Sequence, residues 1–156
     1  MNNVMNSQDA ASTKLAEFFC TINGRRYSML NAKKFEANAN VSLSDVPRLG
    51  TMITGKKATG LEFKFSMTVY KCSEMFDELI TEFKNTGILP VFECQVTQED
   101  KATCMGRSTK VYKDCVIEGD VLLSMLDVDG EFIEQDVEGY AMDFDSPEKY
   151  AEPAYM

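Results

Sequence analysis

Two stretches of the chain alternate strictly between apolar and polar residues. The apolar positions of the first are Phe35, Ala37, Ala39, Val41 and Leu43. Those of the second are Leu61, Phe63, Phe65, Met67 and Val69. Alternation with a period of two places one side of a strand on a core and the other on polar surroundings. The pattern predicts two strands of roughly 30–40 Å, longer than a small domain needs for its own core, which suggests a sheet that continues into something larger.

The connection between these two strands, residues 46–60, has no periodicity of its own. Connections of this length are uncommon in compact domains and are usually functional or disordered. Its apolar and basic side chains are the candidate contacts with another subunit: Arg48, Leu49, Met52, Ile53, Lys56 and Lys57. Because Met52 and Ile53 would be exposed in a monomer, we expect this loop to dock on a partner.

The remaining pattern predicts a mainly β chain with one α-helix. Asn23-Gly24 is a strong turn signal between two short strands. A helix with one apolar stripe is predicted from an N-cap at Ser73 to a C-terminal stop at Gly87. Four further strands are predicted, over residues 91–97, 109–117, 121–128 and 132–144. Asp129-Gly130 reads as a type I′ hairpin turn before the last strand, which Pro147 is expected to end.

Length and composition fit a single domain, since 156 residues with an apolar fraction of 44% can bury a core. We expect a flexible N-terminal arm over residues 1–13, a single domain over residues 14–150 and a C-terminal tail over residues 151–156. The polar N-terminus has neither the basic nor the apolar region of a signal peptide. No apolar run approaches the ~20 residues of a membrane span.

Charge is distributed unevenly along the chain, whose net charge is −9. Residues 14–64 hold nine basic and four acidic side chains, whereas residues 114–148 hold twelve acidic side chains and no Lys or Arg. The acidic balance argues against sequence-independent nucleic-acid binding. Opposite charge in the two halves favours head-to-tail association of copies. The alternative is an acidic, solvated sheet face that only aids solubility.

Residue chemistry gives little support for catalysis or for a bound cofactor. The chain has no histidine, and its five cysteines include no C-x-x-C pair, so we predict reduced thiols and no metal site. Gly50 to Lys57 matches most of a phosphate-binding loop. However, Lys57 stands where a Ser or Thr should ligate magnesium, and a strand is predicted to follow in place of a helix. We therefore predict no cofactor and no enzymatic activity.

Two stretches carry a resemblance to a known family. The first runs from Lys34-Phe35-Glu36-Ala37-Asn38 through Val46-Pro47-Arg48-Leu49-Gly50 to Gly55-Lys56-Lys57-Ala58-Thr59-Gly60 and Phe65-Ser66-Met67-Thr68-Val69-Tyr70-Lys71. The second holds Leu126-Asp127-Val128-Asp129-Gly130, residues 134–138, Asp143-Phe144-Asp145 and Pro147-Glu148-Lys149. With the order of helix and strands between them, roughly residues 14–150 resemble the tail tube proteins of contractile phage tails and phage-tail-like bacteriocins.

The resemblance implies an antiparallel β-sandwich or half-open barrel with one helix outside and a long β-hairpin with an extended loop. It also implies that six copies form a ring and that rings stack into a tube inside a contractile sheath. The expected partners are further copies of the chain and the sheath, baseplate and tape-measure proteins, with DNA passing through only in a phage. The subunit would be made in the bacterial cytoplasm and released in a virion tail or bacteriocin particle.

Two hypotheses assign roles to charged residues in such a tube. Arg48, Lys56 and Lys57 are expected to meet acidic residues of an adjacent copy. The acidic candidates for the lumen or for an interface are Glu131, Glu134, Asp136 and Glu138. Like charge along the lumen would keep DNA from sticking. The alternatives are a related ring, terminator or secretion-tube subunit, or a small β-barrel that binds an apolar ligand in its interior.

Overall fold

The computed structural model describes residues 4–156, over which the chain forms eight β-strands, one α-helix and a turn of 3₁₀-helix at Ser7–Asp9. The strands are β1 (Ala16–Ile22), β2 (Arg25–Ser28), β3 (Ala32–Val46), β4 (Gly55–Tyr70), β5 (Phe92–Glu99), β6 (Arg107–Glu118), β7 (Glu134–Ala141) and β8 (Asp143–Glu148). The helix α1 spans Met75–Thr86. The prediction of a mainly antiparallel β protein with a single helix is confirmed.

The turn between β1 and β2 follows the Asn-Gly signal. Asn23 and Gly24 have φ angles of 51° and 80°, which suit the two central positions of a type I′ turn. This turn matches the right-handed twist of the strands it joins, and β1 pairs with β2 in register from Phe19 opposite Ser28 to Ile22 opposite Arg25. The local sequence therefore predicts the turn of this small hairpin.

The strands follow one another in the order β2-β1-β5-β6-β7-β4-β3, and β8 also pairs with β6. The sheet folds over so that Phe18 of β1 contacts Phe35 of β3, with ring centroids 4.6 Å apart. It does not close, because β2 and β3 remain as edges. The architecture is a half-open barrel, and the free edge of β3 has no strand partner within residues 4–156.

Strand β6 belongs to both layers of this barrel. Its N-terminal part pairs with β5 and β8, and its C-terminal part, Val116 to Glu118, pairs with β7. The direction of β6 changes at a bulge where Asp114 has a φ angle of 51°. Aspartate tolerates this left-handed conformation better than most residues, and a bulge bends the strand that contains it.

The last predicted strand, residues 132–144, is broken in the structure. β7 ends at Ala141 and β8 begins at Asp143, opposite the bulge in β6. The Met142 N–H donates to the Lys113 carbonyl oxygen at 3.1 Å across this corner. The prediction of one straight strand ending before Pro147 was wrong, because the partner strand bends and β8 runs on through Pro147 to Glu148.

Aromatic and sulfur-containing side chains fill the space between the two layers. Phe92 contacts Phe65 and Phe76, with ring centroids 5.8 Å and 6.1 Å apart, so that α1 is packed on the strands. Cys20 and Cys94 face each other on β1 and β5 with their Sγ atoms 3.5 Å apart. Hydrogen bonding with Cys115 and Cys20, together with burial, raises the pKa of the Cys94 thiol well above its ordinary value. These thiols are therefore packing groups in the core.

The helix begins one residue later than the N-cap prediction at Ser73. Glu74 occupies the N-cap position and its side chain makes no capping hydrogen bond, so the Ser73 assignment was wrong. Asp77 and Glu78 in the first turn still favour the positive end of the helix dipole. At the other end Gly87 has a φ angle of 76° and its N–H donates to the Phe83 carbonyl oxygen, as the glycine stop signal predicts.

The predicted connection over residues 46–60 is partly strand. β3 runs to Val46 and β4 begins at Gly55, so the loop itself comprises residues 47–54. Cross-strand pairing overrides the weak β propensity of the glycines and lysines in this part of β4. Thr59 is the extra residue at a bulge between the Ser42–Gly60 and Leu43–Ala58 pairs. The prediction of a long hairpin is confirmed, but its loop is shorter than expected.

The strand predicted over residues 121–128 is absent, and that prediction was wrong. This part of the chain has apolar side chains but no neighbouring strand, and a strand without a partner leaves its backbone groups unpaired. Asp129-Gly130 does not form the predicted hairpin turn. The Gly130 N–H donates to the Asp127 carbonyl oxygen at 3.3 Å, which makes a turn within a loop and not between two strands.

Part of the predicted N-terminal arm lies against the loop between β5 and β6. The buried Asp9 carboxylate accepts a hydrogen bond from the Cys104 backbone N–H at 3.1 Å, which lowers the pKa of Asp9. The Ser12 N–H donates to Asp100 Oδ2 at 3.1 Å. Residues 1–3 of this arm lie outside the described residues. The division into arm, domain and tail stays a prediction.

Candidate assembly surfaces

The β3–β4 hairpin extends beyond the core, and we call its far part, residues 41–61, the outer hairpin. Strand pairing continues along it from Val41 opposite Leu61 to Val46 opposite Gly55. Closer to the core, the same side of these strands is covered by the other layer, as at Phe35 and Phe65. Val41, Leu43 and Leu61 continue that apolar side but are more than half exposed. The outer hairpin therefore presents an apolar side that nothing in residues 4–156 covers.

The loop at the end of the outer hairpin holds its apolar side chains in solvent. Leu49 and Met52 are fully exposed, and Ile53 is 71% exposed. The shape of the loop is fixed by local hydrogen bonds, from Arg48 Nη2 to the Ile53 carbonyl oxygen at 3.3 Å and from the Ile53 N–H to Thr51 Oγ1 at 3.1 Å. An ordered loop with outward apolar side chains is suited to contact with another molecule.

The three predicted basic residues of this region lie together on the outer hairpin, but in different surroundings. Lys56 forms an ion pair with Asp45 on the opposite strand. Lys57 lies opposite Ser44, and Arg48 is held by the loop backbone. Residues 41–61 contain Asp45 as their only acidic residue, so the outer hairpin has a net charge of +2. Its positive charge and its apolar side chains are both exposed.

Three of the four predicted acidic residues share the polar side of the sheet. Glu134, Asp136 and Glu138 alternate along β7 with buried residues. Glu134 accepts from Lys33 Nζ at 3.2 Å, and Asp136 accepts from Thr68 Oγ1 at 2.7 Å. The fourth, Glu131, lies outside this strand, in the loop that precedes β7. The structure thus brings together three candidates and separates the fourth from them.

The polar side of the sheet, which we call the polar face, extends from β7 across β4 and β3 to the end of β6. Cross-strand registers place Glu118 opposite Glu138 and Glu138 opposite Ser66, which in turn lies opposite Glu36. Hydrogen bonding from Asn38 and then from Lys34 lowers the pKa of the Glu36 carboxyl. The polar face is continuous over four strands, and acidic side chains outnumber basic ones along this row.

An open groove of about 870 Å³ lies between β1 and β3. It is lined in part by charged side chains, among them Lys14, Glu17, Lys34 and Glu36. Binding sites for apolar ligands enclose most of the ligand and hold only a few polar groups, whereas this open groove has five charged residues beside its apolar ones.

Sequence analysis missed a structural role of Lys71 and the extent of an exposed loop. Lys71 forms an ion pair with Asp77 at 3.0 Å and also contacts the Leu122 carbonyl oxygen. The loop that it helps to hold, residues 119–133, exposes Leu126, Val128 and Phe132. The failure of residues 121–128 to alternate strictly was the available signal, since Val121, Leu122 and Leu123 are consecutive apolar residues.

Over residues 4–156, none of the helices has the length and apolar character required to cross a membrane. No group of three or more His, Cys, Asp or Glu side chains in that range could hold a metal ion.

The half-open barrel, with its polar face and its uncovered outer hairpin, defines a structural protein built on a β-sheet. Its distinguishing exposed features are surfaces and not a pocket. Residues 3–148 match the phage tail tube protein family, and the chain belongs to that family. It is a structural component of a phage tail or tail-like particle. The resemblance and the fold class predicted from the sequence are thereby confirmed.

A relative in Bacillus subtilis supports this assignment, and solved structures share the fold. The phage-like element PBSX protein XkdM of Bacillus subtilis (strain 168) is 32% identical over 124 residues, covering 80% of this chain and 84% of XkdM. The fold is similar to that of the anti-feeding prophage tube-terminating cap, with a TM-score of 0.65, 12% identity and coverage of 92% and 94% of the two chains. It is also similar to a chain in the sheath–tube complex of an extracellular contractile injection system, PVC, with a TM-score of 0.61, 9% identity and coverage of 92% and 97%.

Proposed function

We propose that the protein is the subunit of the inner tail tube of a contractile particle, either a phage tail or a phage-tail-like bacteriocin. Copies would form hexameric rings that stack inside a contractile sheath and make a conduit through the envelope of the target cell. The chain belongs to the tail tube protein family, and its open barrel has a free β3 edge and an uncovered outer hairpin. This combination is the observation on which the proposal rests. An exposed edge and an exposed apolar side both favour association with further chains.

We assign the polar face to the lumen of this tube. When open barrels join side by side in a ring, their sheets can close into one larger barrel with no free edges. The polar face is continuous and acidic, as a water-filled channel for a polyanion requires. Glu134, Asp136 and Glu138 would line the lumen, and in a phage they would repel the DNA that passes through it. Glu131 is separate from this face and is assigned to an interface.

The outer hairpin is assigned to contacts between copies. Leu49, Met52 and Ile53 would become buried in such a contact, and each buried apolar side chain contributes about 1.5–3 kcal/mol. Arg48 and Lys57 supply positive charge for acidic residues of the adjacent copy. Lys56 would keep or share its partner Asp45, because the two lie directly opposite each other on the hairpin.

The expected partners are those that the tail tube family implies. The tube would be surrounded by a sheath protein, would start from a baseplate and would be measured in length by a tape-measure protein. We assign no catalytic role to the chain and no cofactor. It would be made in the bacterial cytoplasm and released with the finished particle.

Negative-stain electron microscopy of the purified protein, concentrated at low and at physiological salt, tests the proposal. Hollow tubes or stacked rings with six-fold symmetry are the expected result. Single rings that never stack would instead indicate a terminator or related ring protein. Protein that stays monomeric with and without a purified baseplate, and that binds an apolar dye, would contradict the proposal and favour the ligand-binding barrel.

A further inference from the structure

Lys71 attaches the loop over residues 119–133 to the domain at both ends. Lys71 Nζ contacts the Leu122 carbonyl oxygen near the start of the loop, and the Lys71 N–H donates to the Ile133 carbonyl oxygen at 2.9 Å at its end. The same Nζ lies 3.0 Å from Asp77 of α1, and this ion pair is mostly buried. Val121 is packed against the core. The loop is therefore held in a definite position on the domain.

Between these attachments, the loop turns its apolar side chains to solvent. Leu126 and Val128 are fully exposed, Phe132 is 74% exposed and Leu123 is 57% exposed. None of the backbone–backbone hydrogen bonds described for loops involves residues 119–126. Exposed apolar groups of this number are typical of surfaces that become buried against a partner.

The charge of this loop is opposite to that of the outer hairpin. Residues 119–133 contain four acidic side chains, Asp120, Asp127, Asp129 and Glu131, and no basic one. The loop therefore has a net charge of −4, whereas the outer hairpin, residues 41–61, has a net charge of +2. Both surfaces combine exposed apolar side chains with exposed charge, and their charges are complementary.

We propose that the 119–133 loop is the docking site for the outer hairpin of a second copy of the chain. This inference rests on the proposed function and adds to it by naming the receiving surface. Both surfaces are exposed in the same chain, so neither one covers the other within a subunit. A contact between two different surfaces of identical chains is head-to-tail, and such contacts repeat from one copy to the next. The contact would bury Met52 and Ile53 against Leu126 and Val128.

Charge reversal on each side tests this contact. One variant carries Lys56→Glu and Lys57→Glu, and the other carries Asp129→Lys and Glu131→Lys. Asp127 is left unchanged because its side chain accepts the Asp129 N–H and shapes the turn. The first variant changes the net charge of the outer hairpin from +2 to −2, which repels the −4 loop, and the second changes the net charge of the loop from −4 to 0, which removes its attraction for the hairpin. Each variant should therefore remain folded and monomeric at physiological salt. The control is Lys101→Glu with Lys110→Glu, which makes the same charge change at exposed lysines outside the outer hairpin and should assemble normally.

Mixing the two variants provides the decisive measurement. In the mixture, the unchanged hairpin of one variant, with a net charge of +2, meets the unchanged loop of the other, with a net charge of −4. Sedimentation velocity should show association in the mixture where neither variant associates alone. A further variant, Leu126→Ser with Val128→Ser, should raise the protein concentration needed for assembly by at least about tenfold, because two apolar side chains lose their burial.

Two results would overturn the inference. The first would leave the proposed function intact, and the second would contradict the proposed function as well. Normal assembly of the Asp129→Lys and Glu131→Lys variant, with wild-type protein forming tubes, would show that the loop faces away from the contacts between copies. The proposed function would then stand, and the 119–133 loop would be assigned to contact with the sheath protein. Wild-type protein that shows no association by sedimentation at any concentration, with or without a baseplate, would contradict both.

Discussion

At position 139 a glycine is required because the backbones of β6 and β7 approach each other closely there. A Cβ atom added there would lie 2.0 Å from the Val116 carbonyl oxygen and 2.9 Å from Cζ of Phe65. Val116 is on the neighbouring strand β6, and the Phe65 ring is buried. The absence of a side chain at this position therefore allows the Phe65 ring to lie over β7.

Replacement of Gly139 by alanine should destabilise the protein by about 1–3 kcal/mol or more, because the neighbouring backbone must move. Gly60→Ala is the matched control, since its nearest atom would be Ser42 Cβ at 3.6 Å, an ordinary contact. Urea unfolding followed by circular dichroism measures both. Equal stability of the Gly139→Ala variant and the wild type would contradict the geometry described for β6 and β7.

Residues with positive φ angles show which backbone turns can be predicted from the local sequence. Asn23-Gly24 was identified as a turn because both residues tolerate the left-handed conformation. Asp114 adopts the same conformation in the middle of a strand, where nothing in its neighbours signals a bend. The bend is imposed by β6 joining both layers, a tertiary requirement that a local pattern does not contain.

At the level of elements, alternation located the central parts of β3 and β4 because one side of each is buried there. Beyond Leu61 towards the loop, the strand residues are exposed on both sides, and the alternation stops. Pairing with β3 alone maintains this part of β4 as strand. Of the candidate site residues, those on the outer hairpin were grouped correctly by sequence proximity. Glu131 was listed with the acidic residues of β7 although it precedes the strand predicted over residues 132–144, and the structure places it in the loop before β7.

Strand β8 is held on β6 by ion pairs and hydrogen bonds between side chains. Arg107 Nε lies 2.7 Å from Glu148 Oε2, and Thr109 Oγ1 donates to the same carboxylate at 2.7 Å. Lys113 forms a second pair with Asp145. Hydrogen bonding from Arg107 and then from Thr109 lowers the pKa of Glu148 below its ordinary value of 4.5. The ionised carboxylate is therefore the form that the folded protein prefers.

The stabilising contribution of Glu148 should be complete above pH 4.5 and should be lost as pH falls through its lowered pKa in the folded state. A Glu148→Gln variant cannot titrate at this position. Its melting temperature should therefore fall less than that of the wild type between about pH 6 and about pH 3. Thermal unfolding at a series of pH values makes the comparison. A steeper acid loss in the variant would contradict the assignment.

At the scale of the whole molecule, the two kinds of exposed surface have different chemistry. The polar face is hydrophilic and needs no cover, whereas the outer hairpin and the 119–133 loop expose apolar side chains. Period-two alternation predicted the polar face because its polar positions can be read from the sequence. The exposed apolar surfaces depend on which strands find partners in the fold. For residues 121–128 the sequence pattern predicted a strand that the single chain does not form.

Reversing charge on the polar face should change what enters the tube without preventing assembly. Glu118 and Glu138 are cross-strand neighbours on this face, so a variant with both replaced by lysine retains a like-charge pair. Tubes of this variant should retain a fluorescently labelled DNA oligonucleotide at low salt, and wild-type tubes should not. Tubes carrying Glu93→Lys and Glu99→Lys on β5 are the control with the same charge change. Equal retention by both variants would contradict the placement of the polar face in the lumen.

The sharing of β6 between the two layers also determines how the subunit unfolds. Because β6 pairs with β5 and β8 at one end and with β7 at the other, opening either layer removes a partner from the other. Unfolding of the barrel is therefore expected to be a single cooperative transition, with the slowest amide hydrogen exchange in β6. The outer hairpin is paired only with itself, so its amides should exchange through local opening well before the rest of the chain. The free subunit thus combines a cooperative core with a hairpin whose stability is completed by its neighbours.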